Sequence, residues 1–352
     1  MPPYGRARKI SLSSPNTGSL DKDVTLPGDA EDTISSISWS HASNHLAAAS
    51  WDGKVRVYNV SSTGVARGVT LLNAEGPVLD CDWAKDGSMV VAGGADKKLH
   101  LLDISTSSQA SLGAHDAPIR NVRFIEVPGF GAPVIVSGSW DKTVKFWDLR
   151  QQGPLATVAC KERVYSMDSK ADLMVVATAE CHIHLFDLKN PTTISETVES
   201  PLKYQTKVVA AFPDGKGWAT ASIEGRCGMR AVEEKDKDKV NFTFKCHREK
   251  EAAATTKVFT VNDLSFHPVK HNVFSTAGSE GTYQFWDRIE RTRLKAYQKT
   301  SGSITSAAYN RDGTFFAYAV GYDWSRGHAA NTQKTETKLM LHPVSEEDIK
   351  KK

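Results

Sequence analysis

The chain has 352 residues and a formal net charge of +3, with 40% apolar and 24% charged residues, an ordinary globular balance in which any anion-binding strength must come from a local patch. No apolar run approaches the roughly 18 residues of a membrane span, so no membrane insertion is expected. Five cysteines without a Cys-x-x-Cys pair argue against a disulfide framework or a zinc site and fit a reducing compartment.

Residues 1–22 are rich in Ser, Pro, Gly and charge, and although they contain Arg6, Arg8 and Lys9 they lack the apolar core of a signal peptide, so they read as a flexible N-terminal tail. Val24-Thr25-Leu26 then alternates as a short strand, expected to pair with Lys338 to His342 and so clasp both ends of the chain in one sheet. The first repeat runs through Ile34, Ile37 and Trp39, then Leu46 to Ser50, a turn at Trp51-Asp52-Gly53, and Val55, Val57 and Tyr58. The second closes on Leu99, Leu101, Leu102 and Asp103. The third is the clearest, because Val136 to Arg150 holds a whole hairpin: small and β-branched residues up to Trp140, a turn at Asp141-Lys142, and an alternating strand ending at Trp147-Asp148.

The fourth repeat is weaker, from Val164 to Met167, and carries His182 and His184 on one strand face beside Cys181. Two imidazoles are too few for a metal centre, so strand packing is expected. The fifth contains Pro213-Asp214-Gly215-Lys216-Gly217, a β-turn that lacks the Gly-Lys-Ser/Thr end of a phosphate loop, and is lengthened by the mixed-charge segment Glu233 to Lys239, read as a solvated loop. The sixth begins at Val261 to Phe266. The seventh, from Ile304 to Tyr309, has a polar insertion at 321–338, and Ser345 to Lys352 is a short charged C-terminal tail, too short for a stable helix.

Asp52, Asp96, Asp141, Glu180, Glu224, Glu280 and Asp323 occupy equivalent turns, mostly about 39 to 45 residues apart, the repeat length of a four-stranded blade. A blade with one apolar face cannot stand alone, so the copies must close into a ring. The reading is an all-β, seven-bladed WD40-type β-propeller over residues 23–344, closed by pairing of its N- and C-terminal strands.

His115, Ser137 (or Ser139), Asp141 and Trp147 are expected to hydrogen-bond across the third blade as a structural brace. The same set contains Ser, His and Asp, so a hydrolase must be weighed. No Gly-x-Ser-x-Gly elbow is present, and the repeat already accounts for all four residues. No enzymatic activity, cofactor, metal or small-molecule substrate is expected. Trp51, Trp140 and Tyr322 each precede a turn acid on one face, either as interface anchors or as shields of the turn.

Four phrases are too long and unusual for the generic repeat: Ser222-Ile-Glu-Gly-Arg226, Phe242-Thr-Phe-Lys-Cys-His-Arg248, Ser265-Phe-His-Pro268 and Tyr322-Asp-Trp-Ser-Arg-Gly-His328. Together they resemble the WD-repeat mRNA export factors of the nuclear pore, propellers that bind the GLEBS hairpin of an FG-repeat nucleoporin. The resemblance spans about residues 30–342. The first two phrases are also similar to the mitotic-checkpoint propellers, which bind GLEBS-like motifs of checkpoint kinases. The Tyr322 phrase and the N-terminal tail resemble the export factors alone.

The resemblance implies that Arg226 and Lys245 meet a glutamate pair of the GLEBS motif, a planar guanidinium and a point charge being suited to carboxylates. A salt bridge from Arg226 to Glu224 is the competing role. The resemblance further implies that Phe244, Trp286, Arg288, Arg291 and Arg293 form a groove for RNA in the nucleoporin complex. Residues 252–260 offer no histidine for a brace, which leaves Trp286 freer to sit at a surface. The implied location is the nucleus, at the nuclear pore and envelope, with cytoplasmic shuttling.

Overall fold

The computed structural model describes residues 17–28, 30–251, 254–331 and 336–351. Seven antiparallel four-stranded sheets follow one another along the chain, one of them extended by a fifth strand. Their inner strands are Ile34–Trp39, Val78–Trp83, Ile119–Glu126, Val164–Lys170, Thr206–Ala211, Val261–Phe266 and Ser303–Tyr309. The second strand of each blade is almost wholly buried; Leu173–Thr178, Gly217–Ser222 and Val273–Gly278 show no exposed position. Their runs of small and β-branched residues suit a strand covered on both faces by neighbouring blades.

Closure occurs in the seventh blade. Val24 and Thr25 pair antiparallel with Leu341 and Met340, so the outermost strand comes from the N-terminus and its neighbour from the C-terminus. This removes the free edges that an open ring would expose.

Every inner strand has a β-bulge at the same place. The register shifts between Ile34 and Ser36, Val78 and Asp80, Ile119 and Asn121, Val164 and Ser166, Thr206 and Val208, Val261 and Asp263, and Ile304 and Ser306. A bulge leaves its extra residue out of the ladder and re-aims its side chain. Six of the seven bulged residues line a central channel of about 670 Å3. Just beyond the bulges, side chains stitch one blade to the next: Val122 N–H donates to Asp80, Val209 N–H to Ser166, Ala307 N–H to Asp263 and Ile37 N–H to Ser306.

Both ends depart from the expected tails. Thr17 and Gly18 add a parallel strand to the sixth blade, opposite Ala296 and Tyr297. A Cβ on Gly18 would sit 2.5 Å from the Tyr297 ring, so the approach needs glycine. At the other end Asp348 and Ile349 are buried. Asp348 accepts from Ser345 N–H and from Lys295, while Ile349 joins the apolar cluster around Tyr297 and Tyr309. The expected tail segment 1–16 lies outside the described residues. In the charged insertion of the fifth blade, Glu234–Asp236 and Lys237–Val240 form a short helical turn.

Candidate functional site

In six blades the turn between the second and third strands donates an N–H to the carbonyl just before the inner strand: Trp51 to Thr33, Ala95 to Pro77, Trp140 to Pro118, Ala179 to Arg163, Ile223 to Gln205 and Ser279 to Thr260. Turn acids and inner-strand entries therefore share one face of the ring. Trp51 and Trp324 stack there with centroids 4.5 Å apart, and Tyr322 lies 5.6 Å from Trp324. Trp140, Tyr204, Ile223 and Val258 are exposed on the same face.

The third-blade residues form a continuous network. His115 Nδ1 lies 2.7 Å from Asp141 Oδ2, its Nε2 lies 2.7 Å from Ser137 Oγ, and the Trp147 indole N–H donates to that same Oγ. Ser137 is fully buried with its Oγ held between His115 and Trp147, and Ser139 is fully buried while donating to Pro118 O. Burial lowers the His115 pKa, only partly offset by Asp141.

A second network of this kind corrects the reading of Trp286. The Trp286 N–H donates to Thr276 Oγ1, which also lies 2.8 Å from His247 Nε2, and His247 Nδ1 lies 2.5 Å from Glu280. The imidazole sits further back along the chain than expected because the hairpin Arg248–Lys250 with Thr256–Val258 is inserted between it and the inner strand. Trp286 is thus 1% exposed, and Phe244, its ring 4.8 Å away, is 5% exposed. Neither presents a face for base stacking. Burial pulls His247 down, yet the Glu280 carboxylate more than offsets it and holds the imidazole above its ordinary pKa.

The three arginines lie along the seam of the fifth and sixth blades. Arg288 covers the Phe212 ring at 4.4 Å and donates to His271 O, and Arg291 covers Phe242 at 4.7 Å and donates to Lys239 O. Arg293 stands opposite Trp286 and is half-buried, which lowers its pKa. Arg288 and Arg291 belong to the turn between third and fourth strands, at the opposite end of the blade from the turn acids.

Arg226 and Lys245 are direct cross-strand partners in the outer strand pair of the fifth blade. Like charges facing each other this way disfavour the pairing. Arg226 Nε is 2.7 Å from Glu224 Oε1 but is not aligned to donate to it, and Arg248 Nη2 donates to Glu224 O. Lys245 is exposed, and among the described residues no acid lies within ion-pair distance of it. His184 in the fourth blade is buried, bonded to Thr197 and accepting from Lys161 N–H; burial takes its pKa down to about 4. No group of three or more potential metal ligands occurs among the described residues.

The WD domain, G-beta repeat family matches residues 20–59, 68–103 and 106–148. The mRNA export factor GLE2 of Chaetomium thermophilum is 46% identical over 97% of this chain and 95% of its own length. The chain belongs to this family of WD40-repeat mRNA export factors. Within the family, the Poly(A)+ RNA export protein of Schizosaccharomyces pombe is 45% identical over 99% of this chain and 97% of its own. The WD40 repeat protein poxJ of Penicillium oxalicum is 49% identical over 96% and 98%. In this chain the Ser-His-Asp set of the third blade is bracing inside the blade, while Lys245 and Trp140 are exposed.

Proposed function

We propose that this propeller is a non-enzymatic docking module in the export of messenger RNA, acting at the nuclear pore by holding the GLEBS hairpin of an FG-repeat nucleoporin through Arg226 and Lys245. The observation that carries the reading is the opposed Arg226 and Lys245 pair, in which the exposed ammonium lacks an acid among the described residues. A glutamate pair on a partner supplies the missing charge and turns an unfavourable juxtaposition into a favourable one. The names borne by the relatives from Chaetomium thermophilum and Schizosaccharomyces pombe support the export role.

RNA contact, in the same proposal, falls to Arg288, Arg291 and Arg293 as phosphate ligands in the nucleoporin complex, without stacking on Phe244 or Trp286. Such contact is salt-sensitive and reads little sequence.

Titration calorimetry of the purified chain against a nucleoporin GLEBS hairpin and the corresponding checkpoint-kinase motif tests this reading. Preference for the nucleoporin peptide is expected. Preference for the kinase peptide moves the protein to the spindle checkpoint, and binding to neither removes the docking assignment.

A further inference from the structure

The repeated bulge places two cations where the channel opens onto the turn face. Arg120 and Lys207 are the bulged residues of the third and fifth inner strands, and both line the channel. The Ile223 N–H bond to Gln205 O ties Lys207's end of the strand to the turn preceding Arg226. The channel mouth and the Arg226 pair therefore share a face.

Five carboxylates also line the channel, Asp80, Asp82, Asp168, Asp263 and Asp323, but among the described residues none is within ion-pair distance of Arg120 or Lys207. Asp263 accepts from Leu264 N–H, Ser306 Oγ and Ala307 N–H, and Asp323 accepts from Asn262 and Ser325 N–H. Arg123 is taken by Asp80. Arg120, by contrast, makes one long bond, 3.4 Å to Leu79 O, and Lys207 has neither a hydrogen bond nor an ion pair among the described residues. Both are half-buried. Burial, and next the Arg120 charge, depress the Lys207 ammonium. Enclosed charges in proteins are ordinarily paired.

A second observation points the same way. Trp324 also lines the channel, and its indole Nε1 is a buried donor with no acceptor. Ammonium, guanidinium and indole are all donors, and none of the three has a strong acceptor among the described residues. Asn121 Oδ1, which with the Tyr309 hydroxyl is an orphaned acceptor in the described channel lining, is next in the chain to Arg120 and is matched by a peptide N–H. An acceptor-rich group attached to a peptide satisfies both.

We propose that the channel mouth receives an aspartate or glutamate side chain from the peptide that docks on the turn face, with Lys207 and Arg120 as donors to its carboxylate. This rests on the docking function proposed above and adds a second acidic contact, separate from Arg226 and Lys245. The stacked pair of Trp51 and Trp324, with Trp140 across the mouth, supplies apolar walls for the stem of that side chain. A carboxylate held in such a confined setting gains strength from the lowered dielectric.

The test uses the full chain and the nucleoporin GLEBS hairpin peptide. Lys207→Met is expected to weaken binding on the order of tenfold or more and to flatten its salt dependence. Peptides with single acids changed to amides should include one whose loss vanishes in the Lys207→Met background. Amine-reactive labelling of the unaltered chain, read by mass spectrometry, should show Lys207 protected by the peptide and deprotected when that acid is an amide. The labelling stands even if the variant fails to fold. Wild-type affinity for Lys207→Met, or Lys207 labelling unchanged by bound peptide, overturns the channel contact while leaving the Arg226 site intact. No binding by the unaltered chain overturns both.

Discussion

His247 and Glu280 lie 2.5 Å apart, Nδ1 to Oε1, with side chains 0% and 4% exposed. In the third blade His115 and Asp141 lie 2.7 Å apart with comparable burial. The two braces look alike, but their imidazoles shift in opposite directions: His115 below its ordinary pKa, through burial, and His247 above it, because Glu280 outweighs burial.

Opposite shifts give opposite pH dependence. A raised histidine binds more protons folded than unfolded, so its contribution is complete below about pH 6.5 and is lost as pH rises through the folded value. A lowered histidine contributes above about pH 6.5 and loses that contribution as pH falls. The stability lost on His247→Gln should therefore be greater at pH 6 than at pH 8.5, and that lost on His115→Gln greater at pH 8.5. Urea denaturation of both variants and the parent at the two pH values measures this; the same sign for both would disprove it.

Trp286→Ala removes a buried indole and leaves Thr276 Oγ1, the partner of His247 Nε2, without its indole donor, so a loss of about 3 to 5 kcal/mol is expected. RNA binding measured at a temperature where the variant remains folded should be little changed. A selective loss of RNA affinity at unchanged stability would return Trp286 to the groove.

The seven turn acids, the inner-strand phrases and the terminal clasp were all legible in the sequence, because strand alternation and turn chemistry repeat. The His247 brace was not. It depends on an imidazole displaced by an inserted hairpin, and periodicity is blind to insertions. Nor did any local signal mark the bulges that turn Arg120 and Lys207 into the channel, since register is set by pairing between strands. The roles of Arg288 and Arg291 were half visible: their charge was plain, but their stacking on Phe212 and Phe242 exists only once the fifth and sixth blades meet.

Arg226→Glu combined with Lys245→Glu should abolish GLEBS binding while leaving the melting temperature within a few degrees, because Lys245 is exposed and Arg226 partly so. If the glutamate contacts are desolvated, each broken pair costs on the order of 3 to 5 kcal/mol. Calorimetry and a thermal melt on the same preparation decide it, and unchanged affinity defeats the assignment.

Reversing charge at Arg288, Arg291 and Arg293 should weaken RNA binding by the nucleoporin complex and flatten its dependence on salt, each lost phosphate contact reducing the slope by roughly 0.7 for a single strand. Because Arg288 and Arg291 also hold the seam through Phe212 and Phe242, glutamine variants serve as the control for packing. An unaltered slope removes the seam from RNA contact.

At the closing seam Asp23, His342 and Asp348 meet beside Tyr283, Tyr297 and Tyr318. His342 Nδ1 lies 2.6 Å from Asp23 Oδ1, Tyr318 OH donates to Asp23 Oδ2, and Asp348 holds Lys295 and Ser345. Burial opposes ionisation of Asp348, but His342, Lys295 and Ser345 together keep it well below the usual carboxylate range. Asp348 therefore stabilises the fold above about pH 3.8, with that contribution lost as pH falls through its folded value. His342 is raised by Asp23 and Asp348 against burial, so its contribution fades as pH climbs past its folded value. Asp348→Ala leaves Lys295, 19% exposed, without its acid, and should cost about 2 to 4 kcal/mol. The loss should be local before it is global, since Val24 and Thr25 are joined to the ring mainly through Lys338–Pro343. Hydrogen exchange should then show faster opening of the seventh blade's outer strands, with the third blade unchanged at neutral pH. Uniform acceleration across all blades would show instead that the ring opens as one unit and that the terminal clasp has no separate role.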